Sequence, residues 1–143
     1  AAQGAIEGLR QSSLSAADAE LRKVLEQGLN LGVKSQALAA LLSRAANKSA
    51  LLEEYLDPNK DSSLRAVAAA AVPITDIARL QRVAEEDLSP TVRLAALNRV
   101  GGIEPETEQQ RKDLHGWFVK IKTRDSSPVI RAAARKYAEG TQD

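Results

Sequence analysis

Few residues in this 143-residue chain are of types that do chemistry, and their spacing works against most of it. His115 is the lone histidine, and there is no cysteine. A metal site needs several ligands, and a general base needs a partner and a pocket. No carboxylate stands at a suitable helical step from His115, which reads as an ordinary, partly exposed histidine. The carboxylate pairs Glu53-Glu54 and Glu85-Glu86 are sequence neighbours. On a helix such neighbours point about 100° apart, so they do not share a proton or a substrate. Gly101-Gly102 lacks the Lys and Ser/Thr that a phosphate-cradling loop requires. No catalytic, cofactor-binding or metal-ligating residue is assigned, and the expectation is a chain that is not an enzyme and carries no cofactor.

The remaining chemistry is charge. Twenty basic and 19 acidic residues leave a formal net charge of +1, which speaks against nucleic acid or a membrane surface as the default partner. The bias is local: residues 109–138 hold Arg111, Lys112, Lys120, Lys122, Arg124, Arg131, Arg135 and Lys136 against Asp113 and Asp125. Trp117 and Phe118 lie in the same stretch. Trp117 is expected to seal the core, with exposure as a binding anchor as the alternative.

These side chains must be positioned by helices. Apolar residues make up 43% of the chain but aromatics only 3%, so the core is built from Ala, Leu, Val and Ile. The longest uncharged apolar run, residues 66–74, is about half a membrane span, and the chain reads as soluble with no membrane insertion. A chain without cysteine suits either a reducing or an oxidising compartment, and Ala1-Ala2-Gln3-Gly4 fits either a processed or a trimmed start. Residues 1–14 read as a short or frayed helix, and 15–143 as one domain. Expected helices run from a cap at Ser15 to about Gln27; from Asn30 over 31–46, with Val33, Ala37, Leu38 and Leu41 inward; and from Ser49 to Leu56. They continue from Asp61 to Val72, from Thr75 to Asp87, from Ser89 to Val100, from Pro105 to about Thr123, and from Ser127 to just before Gly140. No segment alternates like a strand.

The helix starting at Ser89-Pro90 is the clearest of four copies of one pattern, aligned on Lys34, Arg65, Arg93 and Arg131. Four residues earlier stand Asn30, Asp61, Ser89 and Ser127, each a good N-cap worth about 1 kcal/mol over Ala. One residue earlier stand Val33, Leu64, Val92 and Ile130; three later, Ala37, Ala68, Ala96 and Ala134; seven later, Leu41, Val72, Val100 and Ala138. These offsets make one helix face, and the small residue at its centre lets a neighbouring helix come close. The intervals of 31, 28 and 38 residues fall in the range of helix-pair repeats.

Val92-Arg93-Leu94-Ala95-Ala96 and Ile130-Arg131-Ala132-Ala133-Ala134, each Arg six after an Asp, resemble the second helix of HEAT or phycobilisome-lyase-type HEAT-like repeats. That resemblance implies an all-α, right-handed α–α superhelix of about four helix pairs, near 15–46, 49–72, 75–100 and 105–139. It also implies an Asp–Arg ladder between neighbouring repeats through Asp87, Arg93, Asp125, Arg131 and Arg65. Asn59 and Gly28 stand where the earlier copies would carry the Asp. Losing Arg93 is expected to leave Asp87 unpaired.

Stacked repeats leave an elongated surface lined by one helix of each pair, so the leading expectation is a protein–protein interaction scaffold. An apolar end face would mark it as one segment of a larger protein. Asn98, Arg99, Arg135 and Lys136 are the expected groove contacts. The alternatives are a nucleic-acid interface through residues 109–138, with Lys120 and Lys122 as contacts, and a lyase- or glycosylase-type enzyme with a buried carboxylate in a deep pocket. The polar stretch Glu104–Asp113 is expected to project beyond the packed layer, as a solvated overhang or a docking feature.

Overall fold

The computed structural model describes residues 16–28, 30–44 and 48–142, so the expected segment 1–14 and the cap Ser15 lie outside the described residues. Among the described residues the chain is all-α, with eight helices and no strand. They are α1 (16–27), α2 (Leu31–Arg44), α3 (Lys48–Tyr55), α4 (Ser62–Ala71), α5 (Ile77–Glu86), α6 (Pro90–Gly101), α7 (Glu108–Arg124) and α8 (Pro128–Gly140).

The helix starts follow from side chains that accept the first free N–H groups. Asn30 Oδ1 accepts from the Gly32 N–H at 2.7 Å, and Asp61 Oδ1 from the Ser63 N–H at 2.9 Å. Helix α3 begins at Lys48, one residue before the expected Ser49, and two starts differ by more. Helix α5 begins after Asp76 rather than at Thr75, because the Asp76 N–H is still donated to the Pro73 carbonyl in a turn, at 2.9 Å. Helix α7 begins after Thr107 rather than at Pro105, and Thr107 Oγ1 accepts from the Gln110 N–H at 3.0 Å. Ser89 and Ser127 do occupy the N-cap positions of α6 and α8, with Pro90 and Pro128 in the first turns, but neither serine side chain makes a cap hydrogen bond. Instead, Asp87 Oδ1 accepts from the Ser89 N–H at 2.9 Å and Asp125 Oδ1 from the Ser127 N–H at 2.8 Å.

The even-numbered helices pack in succession, α2 on α4, α4 on α6 and α6 on α8, while α3, α5 and α7 each pack on the even helix that follows. The close approach of the even helices is set by Ala37, Ala68, Ala96 and Ala134, all buried at the same register position. Around them Leu38, Leu80, Val92, Leu97, Val100 and Phe118 are fully enclosed, each worth about 1.5–3 kcal/mol of burial. Val33 departs from the expected stripe: it is 47% exposed, whereas Leu64, Val92 and Ile130 are buried. Its copy carries Gly28 and Lys34, so no aspartate–arginine pair draws a turn across the start of α2.

The α6–α8 seam rests on one small residue. A Cβ on Gly101 would lie 2.4 Å from the Tyr137 ring, so only glycine admits that ring against the end of α6. The Tyr137 hydroxyl donates to Asn98 Oδ1 at 2.6 Å, and burial pushes its phenol above the ordinary value. Phe118 lies between Tyr137 and Trp117 in tilted ring contacts, with centroids 5.4 and 5.5 Å away.

Candidate interaction cleft

The residues singled out in sequence separate into a buried strut system, a cleft and a dispersed surface. The struts come first, because they account for the arginines most suggestive of ligand binding. Arg65 on α4 grips Asp87 with two parallel bonds, Nε to Oδ2 at 3.1 Å and Nη2 to Oδ1 at 3.0 Å. Its Nη1 donates to the Pro58 and Lys60 carbonyls. The bond to Asp87 raises the Arg65 pKa above its usual value. Arg93 on α6 repeats the arrangement on Asp125, at 3.1 and 3.2 Å, with Nη1 on the Asp87 carbonyl at 2.9 Å. Both pairs are at least nine-tenths buried. The partner of Arg93 is therefore Asp125, not the Asp87 of its own copy. An arginine reaches six residues back only to a main-chain carbonyl, because its guanidinium fork points across to the next turn along. Arg131 bonds the Asp125 carbonyl at 2.8 Å in the same way.

The cleft opens on the even-helix side. Ala39, Leu42 and Ser43 of α2, Lys48 of α3, Val67, Ala70 and Ala71 of α4, and Arg99 of α6 enclose about 450 Å³ that is open along one side. Arg99 is held there by one bond, Nε to the Val72 carbonyl at 2.9 Å, which leaves both Nη groups without a protein partner among the described residues. The Ser43 hydroxyl is turned away onto the Ala40 carbonyl at 2.8 Å. Two cations, an aliphatic floor and no acidic lining residue make a surface suited to a carboxylate beside an apolar side chain. Of the expected groove residues only Arg99 stands here. Lys48 was missed in sequence, because it comes from an odd helix and carries no periodic signal.

A second cleft of about 330 Å³ lies between α3 and α5, lined by Glu53, Asp57, Arg79, Arg82, Glu86 and Asp87 among others. Its charges are mixed, and both oxygens of Asp87 are taken by Arg65.

The other expected contacts are not brought together. Asn98 is bound to Tyr137 in the seam. Trp117 is half-buried, with its indole Nε1 enclosed and unpartnered. Lys120 pairs with Glu85 across α5 and α7, and Arg135 with its own Glu139 at 3.5 Å. Lys122, two residues from Lys120, leaves α7 in a different direction, and Lys136 is exposed on α8. The start of α7 is solvated, yet Arg111 ties it to Glu108 and to the Thr141 carbonyl at the end of α8. That bond to Arg111 holds the Glu108 carboxyl below its usual range. His115 faces the same place: its Nδ1 lies 2.9 Å from the Ala138 carbonyl and 3.2 Å from Thr141 Oγ1. No group of three His, Asp or Glu converges as a metal site, and no helix is long and apolar enough to cross a membrane, among the described residues. Family models, curated proteins and solved structures contain no match to this chain.

Proposed function

We propose that the protein is a right-handed solenoid of HEAT-like helix pairs and that it serves as a non-catalytic scaffold for a protein partner. The observation that carries this reading is the cleft at Arg99 and Lys48, which combines two cations without a carboxylate partner among the described residues with an aliphatic floor on the side where the helices lie closest. The packing order supports a superhelix. The even helices follow one another at alanine distance while the odd helices meet far less, and unequal spacing in two layers bends a stack toward the closer one. The even side is then concave, and a peptide lying along it meets the cleft. The partner segment places a carboxylate on Arg99 and an aliphatic side chain against Val67, Ala70 and Ala71. A cleft open along one side suits an extended chain better than an enclosed small molecule.

Neither alternative gains a specific observation. The basic residues of 109–138 diverge onto α7 and α8, and several are bound within the protein. The buried carboxylates Asp87 and Asp125 are acceptors for arginine, which removes them as general acids or bases.

The test is a backbone NMR titration with a terminally blocked peptide of alternating glutamate and leucine. Shifts are expected at Lys48, Val67, Ala70, Ala71 and Arg99, and Arg99→Glu combined with Lys48→Glu removes them. Shifts spread evenly over the surface, or equal shifts with a lysine–leucine peptide, count against the reading.

A further inference from the structure

Among the described residues one arginine of the strut series is only half engaged, and its free edge defines a receptor. Arg65 and Arg93 show what an arginine at this register does: Nη1 is held by a carbonyl of the preceding turn, and the Nε–Nη2 edge receives an aspartate from the next turn along. Arg131 has the first half of this arrangement, with Nη1 on the Asp125 carbonyl at 2.8 Å, against 2.9 Å for Arg93 on the Asp87 carbonyl. Its Nε–Nη2 edge has no protein partner among the described residues. The guanidinium is thus pre-oriented for a bidentate carboxylate, which reduces the ordering cost of binding one.

The surface around it fits the same kind of occupant. On α6, Asn98 and Gly101 meet α8, and Leu94 falls on the same helix face by its spacing; the corresponding residues of α8 are Ala132, Lys136 and Glu139. Ala132 is exposed and small, which permits close helix approach, and Val129 beside it is 63% exposed. Arg131, Arg135 and Lys136 against Glu139 give the face a positive balance. A second copy of this chain stacked end to end does not satisfy it, because its first pair presents Gly28 where an aspartate is needed.

We propose that the α8 end receives a helix pair of a partner protein, seated by an aspartate in the turn before a helix, whose carboxylate takes the Nε–Nη2 edge of Arg131. The occupant continues the Arg65–Asp87 and Arg93–Asp125 series and has an acidic face toward Arg135 and Lys136.

A tethered probe tests this in the full chain. A second copy of residues 103–143 is appended directly after Asp143, so that its aspartate corresponding to Asp125 lies one step beyond Arg131. The readout is hydrogen exchange of the arginine Nε–H groups by NMR. In the unextended chain Arg65 and Arg93 are expected to be protected and Arg131 to exchange fast. In the extended chain Arg131 becomes protected by at least tenfold, and replacing the appended aspartate by asparagine abolishes the gain. An Arg131 already protected without the probe, or one left unprotected with it, overturns the proposal. So does protection that survives the asparagine replacement. Arg131→Lys in the extended chain serves as the second variant: it keeps the charge, loses the bond to the Asp125 carbonyl in either case, and is expected to lower the melting temperature further when the appended aspartate is present. An equal drop with and without that aspartate also overturns the proposal.

Discussion

Arg93 and Asp125 stand 32 residues apart in sequence and form two parallel hydrogen bonds, Nε–Oδ2 at 3.1 Å and Nη2–Oδ1 at 3.2 Å. The same aspartate turns Oδ1 to the Ser127 N–H and gives its own N–H to the Ile121 carbonyl at 3.0 Å. One residue therefore ends α7 with its backbone N–H, and with its carboxylate starts α8 and fixes both against α6. With over nine-tenths of each side chain buried, solvent screening does little to weaken the pair.

Arg93→Ala follows from that geometry. It leaves the Asp125 carboxylate enclosed without its cation, and breaking such a pair costs on the order of 3 kcal/mol. A double-mutant cycle in urea locates the partner. Arg93→Ala and Asp125→Ala should couple by about 1–3 kcal/mol, because the second change removes the stranded charge. Arg93→Ala with Asp87→Ala should couple more weakly, since Arg93 touches only the Asp87 carbonyl. Stronger coupling to Asp87 than to Asp125 would sink the assignment.

Gly101→Ala tests the α6–α8 seam. The added methyl meets the Tyr137 ring at 2.4 Å, well inside contact distance, and overpacking of this kind costs about 1–3 kcal/mol. Helix propensity acts in the opposite sense, favouring alanine by about 1 kcal/mol in a helix interior, so the ring contact decides the sign. In a Tyr137→Ala background the contact is gone, and Gly101→Ala should become neutral or stabilising. Thermal melts of the four proteins separate the two effects. Destabilisation that persists without the Tyr137 ring would mean that backbone conformation, not packing, requires glycine.

The helices and the small-residue face were legible in sequence because local rules set them. Ala37, Ala68, Ala96 and Ala134 recur at one offset, and an alanine repeated at the centre of an apolar face has few uses other than close packing. The charged network was legible as residue types but not as pairs. Asp87 and Arg93 lie six apart, and nothing in that spacing says that the fork reaches forward to Asp125 rather than back. The cleft was barely legible at all: Lys48 and Arg99 line one cleft only because α3 and α6 both border α4, a relation between non-adjacent helices that no window of sequence contains. The chemistry of Gly101 was hidden for the same reason, since its cause is a ring 36 residues away.

The serines at the starts of α6 and α8 separate sequence logic from structure most cleanly. By residue type Ser89 and Ser127 are N-caps worth about 1 kcal/mol each over Ala. In the folded chain neither hydroxyl accepts an N–H, and the aspartate two residues earlier accepts the serine's own N–H instead. Ser89→Ala and Ser127→Ala should therefore each cost less than about 0.5 kcal/mol, the range of an ordinary surface change. Asp61→Ala is the control, because Asp61 does accept from the Ser63 N–H at 2.9 Å and should lose about 1 kcal/mol. Urea midpoints for the three variants decide the matter. A loss at Ser89 equal to that at Asp61 would show the hydroxyl capping α6 in solution, and Asp87 would then be left with its role as acceptor for Arg65 alone.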